Sequence, residues 1–239
     1  MNNTNNIVVR TIDEFFDQPE EFQIAIRKIV LSHALNELYG SQVFDEPAIS
    51  LAPSPYAKWL TCRVAMEEYG HHIRFFELGL KLGIKKETMI PDTSEKKPLS
   101  IFGYEMESWV EFCVIKSIGD LAEILQVEDL LHCPFHPLRD LARITMPEER
   151  FHAQFGEDFT LELIEAGEKK KVQAALNKVF PWMLSFFGSA NSKNNEIYRK
   201  WGIKLRTNEE MQKDYVTRVR DVIEGKLELV LPNFEQSTV

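Results

Sequence analysis

The chain has 239 residues, 44% of them hydrophobic and 27% charged, with a formal charge of −9. That is enough chain for one large domain or two small ones with a substantial core. An acidic balance of this size excludes a general nucleic-acid binder, because contacts to phosphate need clustered Lys and Arg.

Apolar residues recur at intervals of three and four almost throughout, and β-branched alternation is scarce, so an all-α chain is expected. Residues 1–10 are polar and Asn-rich, with no basic stretch leading into an apolar run, so no secretory signal is expected there. The spacing predicts a first long helix over residues 19–44. Pro19, Glu20 and Glu21 open it, and Ile24, Ile26, Ile29, Val30, Leu35 and Leu38 form its apolar surface. Residues 48–55, rich in Pro and Ser, read as a connection. A second helix is predicted over 56–82, a charged exposed linker over 85–98, a third helix over 103–127, a turn over 128–137 and a fourth helix over 138–166, ending at Gly167. Helical stretches over 169–187, 193–201 and 208–223 follow, the last capped by Thr207 or Asn208.

Connections in the order short, long, short suit a ferritin-like four-helix bundle whose single long crossover is 85–98. A single domain over 1–239 is expected, with the core bundle at about 19–167 and a C-terminal helical extension at about 168–225. No apolar run is long enough to span a bilayer. Cys62, Cys113 and Cys133 form no C-x-x-C pair, the pattern of a cytoplasmic protein without disulfides. Cys62 and Cys113 lie in apolar helical patterns and read as small core residues.

The second helix contains Glu67-Glu68-Tyr69-Gly70-His71-His72, and the fourth contains Glu148-Glu149-Arg150-Phe151-His152. In each, a Glu-x-x-His pair (Glu68 with His71, Glu149 with His152) projects an oxygen and a nitrogen from one helix face. Glu37 lies 31 residues before Glu68, and Asp120 lies 29 before Glu149. If each turn falls midway, each carboxylate stands level with its pair across a helix hairpin. One acid and one Glu-x-x-His from each of two hairpins is the ligand set of ferritin-like di-iron and di-manganese proteins. Glu111, on the same predicted helix as Asp120, is the rival ligand but lies too far from the turn to sit level. Carboxylate-rich sites with one imidazole per ion suit iron or manganese.

With these residues in view, the chain resembles the phenylacetic acid catabolic protein family, whose nearest member type is the catalytic subunit of phenylacetyl-CoA epoxidase. The resemblance is carried by residues 35–40 around Glu37, 67–71, Asp120, 148–152 and a C-terminal piece, 198–210. It implies a cytoplasmic di-iron monooxygenase in which Glu37, Glu68, His71, Asp120, Glu149 and His152 hold two iron ions, with manganese as the alternative. It also implies O2 as a substrate beside a CoA ester or similar activated acid, and an oligomer of identical or related subunits. The chain has no Cys cluster for an iron–sulfur centre and no G-x-G-x-x-G, so electrons are expected from a separate reductase.

Two other readings stand beside this one: another di-iron protein (a ferroxidase, an oxidase or an aldehyde-converting enzyme), or a non-catalytic subunit. His33 and His72 neighbour the candidate ligands as supports or as packing or surface residues, and Lys116, one turn before Asp120, reads as its ion-pair partner or as a snorkelling surface lysine. Trp109, Phe112, Ile115, Phe75 and Phe155 read as pocket wall or core. Gly70 and Gly156 read as room for substrate or as close helix packing, and Pro147 as a kink in the fourth helix. Lys169, Lys170, Lys171, Arg199, Lys204 and Arg206 read as a solvated face or as a CoA-phosphate contact.

Overall fold

A computed structural model describes residues 7–90 and 99–233; residues 1–6 and most of the expected crossover, 91–98, lie outside them. Among the described residues there is no strand, only one isolated parallel bridge between Val9 and Phe135, and the chain forms an all-α helical bundle.

A short helix, α1 (Ile12–Phe16), is capped by Thr11, whose side chain accepts from the Glu14 amide. It leads into α2 (Glu20–Gly40). The first long helix does not run unbroken to residue 44. A π turn over Ser41–Asp45 interrupts it, and α3 (Glu46–Leu51) continues it, which shortens the expected connection to residues 52–54. Pro47 follows directly on the π turn, at the start of α3. The π turn buries Asp45.

Ser54 caps α4 (Pro55–Lys81), with proline again in the first turn. A one-turn helix, α5 (Lys86–Met89), stands where only linker is expected. The next long helix, α6 (Trp109–Leu130), starts six residues later than expected because Ser108, not Gly103, caps it, accepting from the Glu111 amide. α7 (His136–Leu163) runs through Pro147. Pro147 is exposed, on the solvent side of the helix, where a missing backbone hydrogen bond is tolerated. A turn with Gly167 at φ 89° reverses the chain into α8 (Lys169–Met183). α9 (Lys193–Lys200) and α10 (Asn208–Arg220) follow, the latter opened by a full capping box between Thr207 and Glu210.

α2 packs on α4 and α6 packs on α7; α4 meets α7, which joins the two hairpins, and α8 and α10 cover α6. α6 is buried nearly all round, so it is the central helix. Asp129 near its end accepts from the amides of Leu205 and Arg206 and from Arg206 Nε at 2.7 Å, tying the C-terminal segment to the bundle. Two expected core residues are outside. Cys62 is exposed, and Ile24 is 43% exposed, while Cys113 and Cys133 are buried.

Candidate metal centre

The six candidate ligands are all buried, and they converge from α2, α4, α6 and α7. Donor atoms of Glu37, Glu68, His71 and Glu149 fall within 4.8 Å of one another, and so do those of Glu68, Asp120 and His152. His71 Nδ1 stands 3.1 Å from Glu149 Oε1, 3.4 Å from Glu68 Oε2 and 3.6 Å from Glu37 Oε2. His152 Nδ1 stands 3.0 Å from Glu68 Oε1. Donors about 2 Å from a shared ion lie roughly 3 Å apart when they are neighbours around it. Glu111 is elsewhere: it accepts from Lys178 Nζ at 2.8 Å and from the Glu107 amide at 2.7 Å.

Each histidine is aimed by the opposite hairpin. His71 Nε2–H donates to Glu148 at 2.9 Å, and His152 Nε2–H donates to Glu67 at 2.9 Å. A carboxylate only accepts, so a proton sits on Nε2, and Nδ1 is the inward atom, free to ligate once a metal ion displaces its own proton. Arg74 Nη1 holds Glu148 at 2.5 Å and Arg63 Nε holds Glu67 at 2.8 Å. Glu67 and Glu148 carry no role in the sequence reading. The only signal for them is the Glu-Glu doublet that opens both motifs.

The inward atoms test whether the residues fit a metal. His71 Nδ1, His152 Nδ1, both Glu149 oxygens and Asp120 Oδ2 are buried with no hydrogen-bond partner. Unpartnered buried polar atoms are costly, and here they face one another across an interior carboxylate and imidazole cluster. The donor set fits divalent cations.

Two further charged residues belong to the cluster. Lys116 Nζ lies 2.6 Å from Glu68 Oε1, 3.0 Å from Asp120 Oδ1 and 3.4 Å from Asp45 Oδ1. Burial pushes the Asp120 carboxyl well up and Lys116 opposes the rise. Burial, offset in part by Lys116, takes Asp45 to about 7. Burial also raises Glu149, and Glu68 adds to it. For Glu68 itself, burial is overcome by Lys116 and His152, which hold it well below the usual range. For His152, burial is overcome chiefly by Glu68, which lifts it to about 10. Glu37, Asp45, Glu68, Asp120 and Glu149 thus share Lys116, His71 and His152 as their positive neighbours. Without a bound cation, such a cluster lowers its excess negative charge by holding protons.

A narrow cavity over this centre has Glu68, Lys116 and Asp120 on its floor and Phe44, Ile115 and Met183 on its walls. Of the aromatic and apolar residues considered from sequence, only Ile115 lines it. Trp109, Phe112 and Phe155 form a buried cluster with Phe159, and Phe75 stacks on His33. His72 Nδ1 lies 2.7 Å from the Ala34 carbonyl and ties α4 to α2. Gly156 serves close packing: a Cβ there would lie 2.2 Å from the Ser117 amide nitrogen. Beside Gly70 the nearest atom is the Arg74 guanidinium, 3.6 Å away. Arg206 and Lys171 are engaged by Asp129 and Glu168, so they are not free for a phosphate.

Among the described residues, no helix is long and apolar enough to cross a membrane. The family described as phenylacetic acid catabolic protein matches residues 9–238. One component of the 1,2-phenylacetyl-CoA epoxidase of Escherichia coli is 26% identical over 204 residues, covering 83% of this chain and 66% of that protein. The chain thus spans just under two thirds of the length of that curated relative.

Proposed function

The chain belongs to the phenylacetic acid catabolic protein family, and from that premise we propose that it is a ferritin-like di-iron oxygenase, a monooxygenase that oxidises an acyl-CoA or similar activated, aromatic acid. The observation that carries the proposal is the convergence of six buried ligand side chains from four helices, with unpartnered donor atoms among them. In this reading Glu37, Glu68, His71 and Glu149 serve one ion and Glu68, Asp120 and His152 the other. Two bound irons supply reductive O2 activation. The chain's own part is to orient and to exclude water. Glu148 and Glu67 keep the Nε2 protons in place, so Nδ1 is the atom each imidazole would offer to a metal in exchange for its proton. The apolar walls of the cavity suit an aromatic acyl end, and Lys116 holds a proton at Nζ at the cavity floor. Electrons come from a separate reductase.

A related protein of the same oxygenase is the proposed partner, supported by exposed apolar residues on the outer face of α4. Tyr56, Trp59 and Met66 there are each more than 60% exposed.

Lys116 favours a second reading. Its ammonium already engages Glu68 and Asp120, two donors of one ion position, as it would in a metal-free, non-catalytic component. Metal content separates the two. Iron analysis of the purified protein, then O2 uptake with a reductase and a panel of CoA esters, should give about two irons per chain and ester-dependent uptake. Glu68→Ala and His152→Ala should lose both. Iron-free protein would support the second reading, and normal iron content in both variants would refute the ligand assignment.

A further inference from the structure

One further set of donors, two buried and one half-buried, lies beside the paired centre and shares only Glu37 with it. His33 and Glu37 on α2 and Glu123 on α6 bring a nitrogen and two carboxylate oxygens within 4.8 Å of one another. His33 is 6% exposed, and its ring plane is set by stacking on Phe75 at 4.7 Å between centroids. His33 Nδ1 lies 3.7 Å from Glu37 Oε1, too far for a hydrogen bond, and both atoms are buried without a partner. Glu37 is two-sided: Oε2 faces His71 at 3.6 Å, while Oε1 faces His33. Glu123 makes no ion pair among the described residues.

The position has a route to solvent. His33 and Glu123 line an open cleft with Asn36, Phe186 and Lys204, whose ammonium is held by Gln126. Asn36, Glu123 and Phe186 also line the cavity over the paired centre, so cleft and cavity adjoin at Glu123.

We infer that His33, Glu37 and Glu123 hold a third divalent transition-metal ion at the inner end of this cleft, a way station between solvent and the paired centre. One imidazole with two carboxylates selects a first-row transition ion over the hard, all-oxygen chemistry of Ca2+ or Mg2+. Three protein donors leave open positions for water, and because Glu37 is shared with the paired centre and Glu123 is only half-buried beside the open cleft, this ion is the most weakly held of the three. The inference extends the proposed function and rests on it only in that Glu37 is shared.

Zn2+, which is redox-inert, is the probe. Metal-stripped protein is dialysed to equilibrium against graded Zn2+, bound metal is measured by atomic emission, and a chromophoric chelator competes to rank the affinities. The parent is expected to bind three equivalents, the third weakest. Glu123→Gln and His33→Phe, which keeps a ring on Phe75, should each lose that third equivalent and retain the first two. A parent that saturates at two equivalents overturns the third site and leaves the paired centre standing. Retention of the third equivalent by Glu123→Gln overturns it as well. A parent that binds no Zn2+ overturns both the third site and the paired centre.

Discussion

Lys116→Met isolates the internal cation of the centre. Methionine keeps the unbranched apolar stem of lysine, one atom shorter, and removes the charge. Lys116 is 3% exposed and stands within 3.4 Å of Asp45, Glu68 and Asp120. Removing one partner of a buried ion pair costs about 3–5 kcal/mol, because the other charge is left uncompensated. In a chain of this size each kcal/mol moves the melting temperature by about 2–4 °C. The metal-stripped variant should therefore melt roughly 10 °C below the metal-stripped parent. With Mn2+ or Fe2+ bound, cations neutralise Glu68 and Asp120 and only Asp45 loses its partner, so most of the deficit should disappear. By linkage the variant then binds metal more tightly, by about 100-fold if 3 kcal/mol is recovered. Melting curves of parent and variant, with chelator and with metal, are the assay. An unchanged melting temperature in chelator, or the same deficit with and without metal, would refute the argument that Lys116 offsets the charge an ion otherwise neutralises.

Other outcomes follow from the same geometry. Gly156→Ala puts a Cβ 2.2 Å from Ser117 N and 2.5 Å from the Lys116 carbonyl carbon. Backbone cannot swing aside, so α6 and α7 must separate, at a cost of about 1–3 kcal/mol read by denaturant midpoint. Glu67→Gln leaves the fold intact but no longer fixes the His152 tautomer, and metal affinity should fall about 10- to 100-fold in chelator competition. Burial lowers Lys204 to about 8. The penalty for its charge is therefore complete below pH 8 and is relieved as pH climbs toward the unfolded value of about 10.4. The melting temperature of the parent, taken as a difference from Lys204→Met, should rise between pH 8 and pH 10; a flat difference would sink the assignment.

The candidate ligand positions were readable because helix geometry projects them. Residues three apart share a face, and equal distances from a turn make residues level, so Glu37, Glu68, Asp120 and Glu149 could be placed from spacing alone. Asp45 was not readable, because it sits on a π turn that leaves no periodic trace. Glu67 and Glu148 look like solvated charge next to a ligand; only the second hairpin, absent from any local window, shows what each faces. Cys62 misled because α4 carries apolar residues on its outer face as well, Tyr56, Trp59 and Met66 among them. Periodicity finds an apolar face without saying which of two faces the core. Gly156 was legible only as an alternative, since a missing side chain does not say what approaches it.

The exchange of supports between the hairpins means that neither half of the chain is finished alone. Glu67 steadies a histidine on α7, and Glu148 steadies one on α4. A fragment ending before α6 would have Glu68 and His71 with nothing to fix the imidazole, and the complementary fragment would have the same defect reversed. Two such pieces, produced separately and then mixed, should bind metal only as a reassembled pair. Cation uptake would then report on the joining of the halves as directly as any measure of their shape.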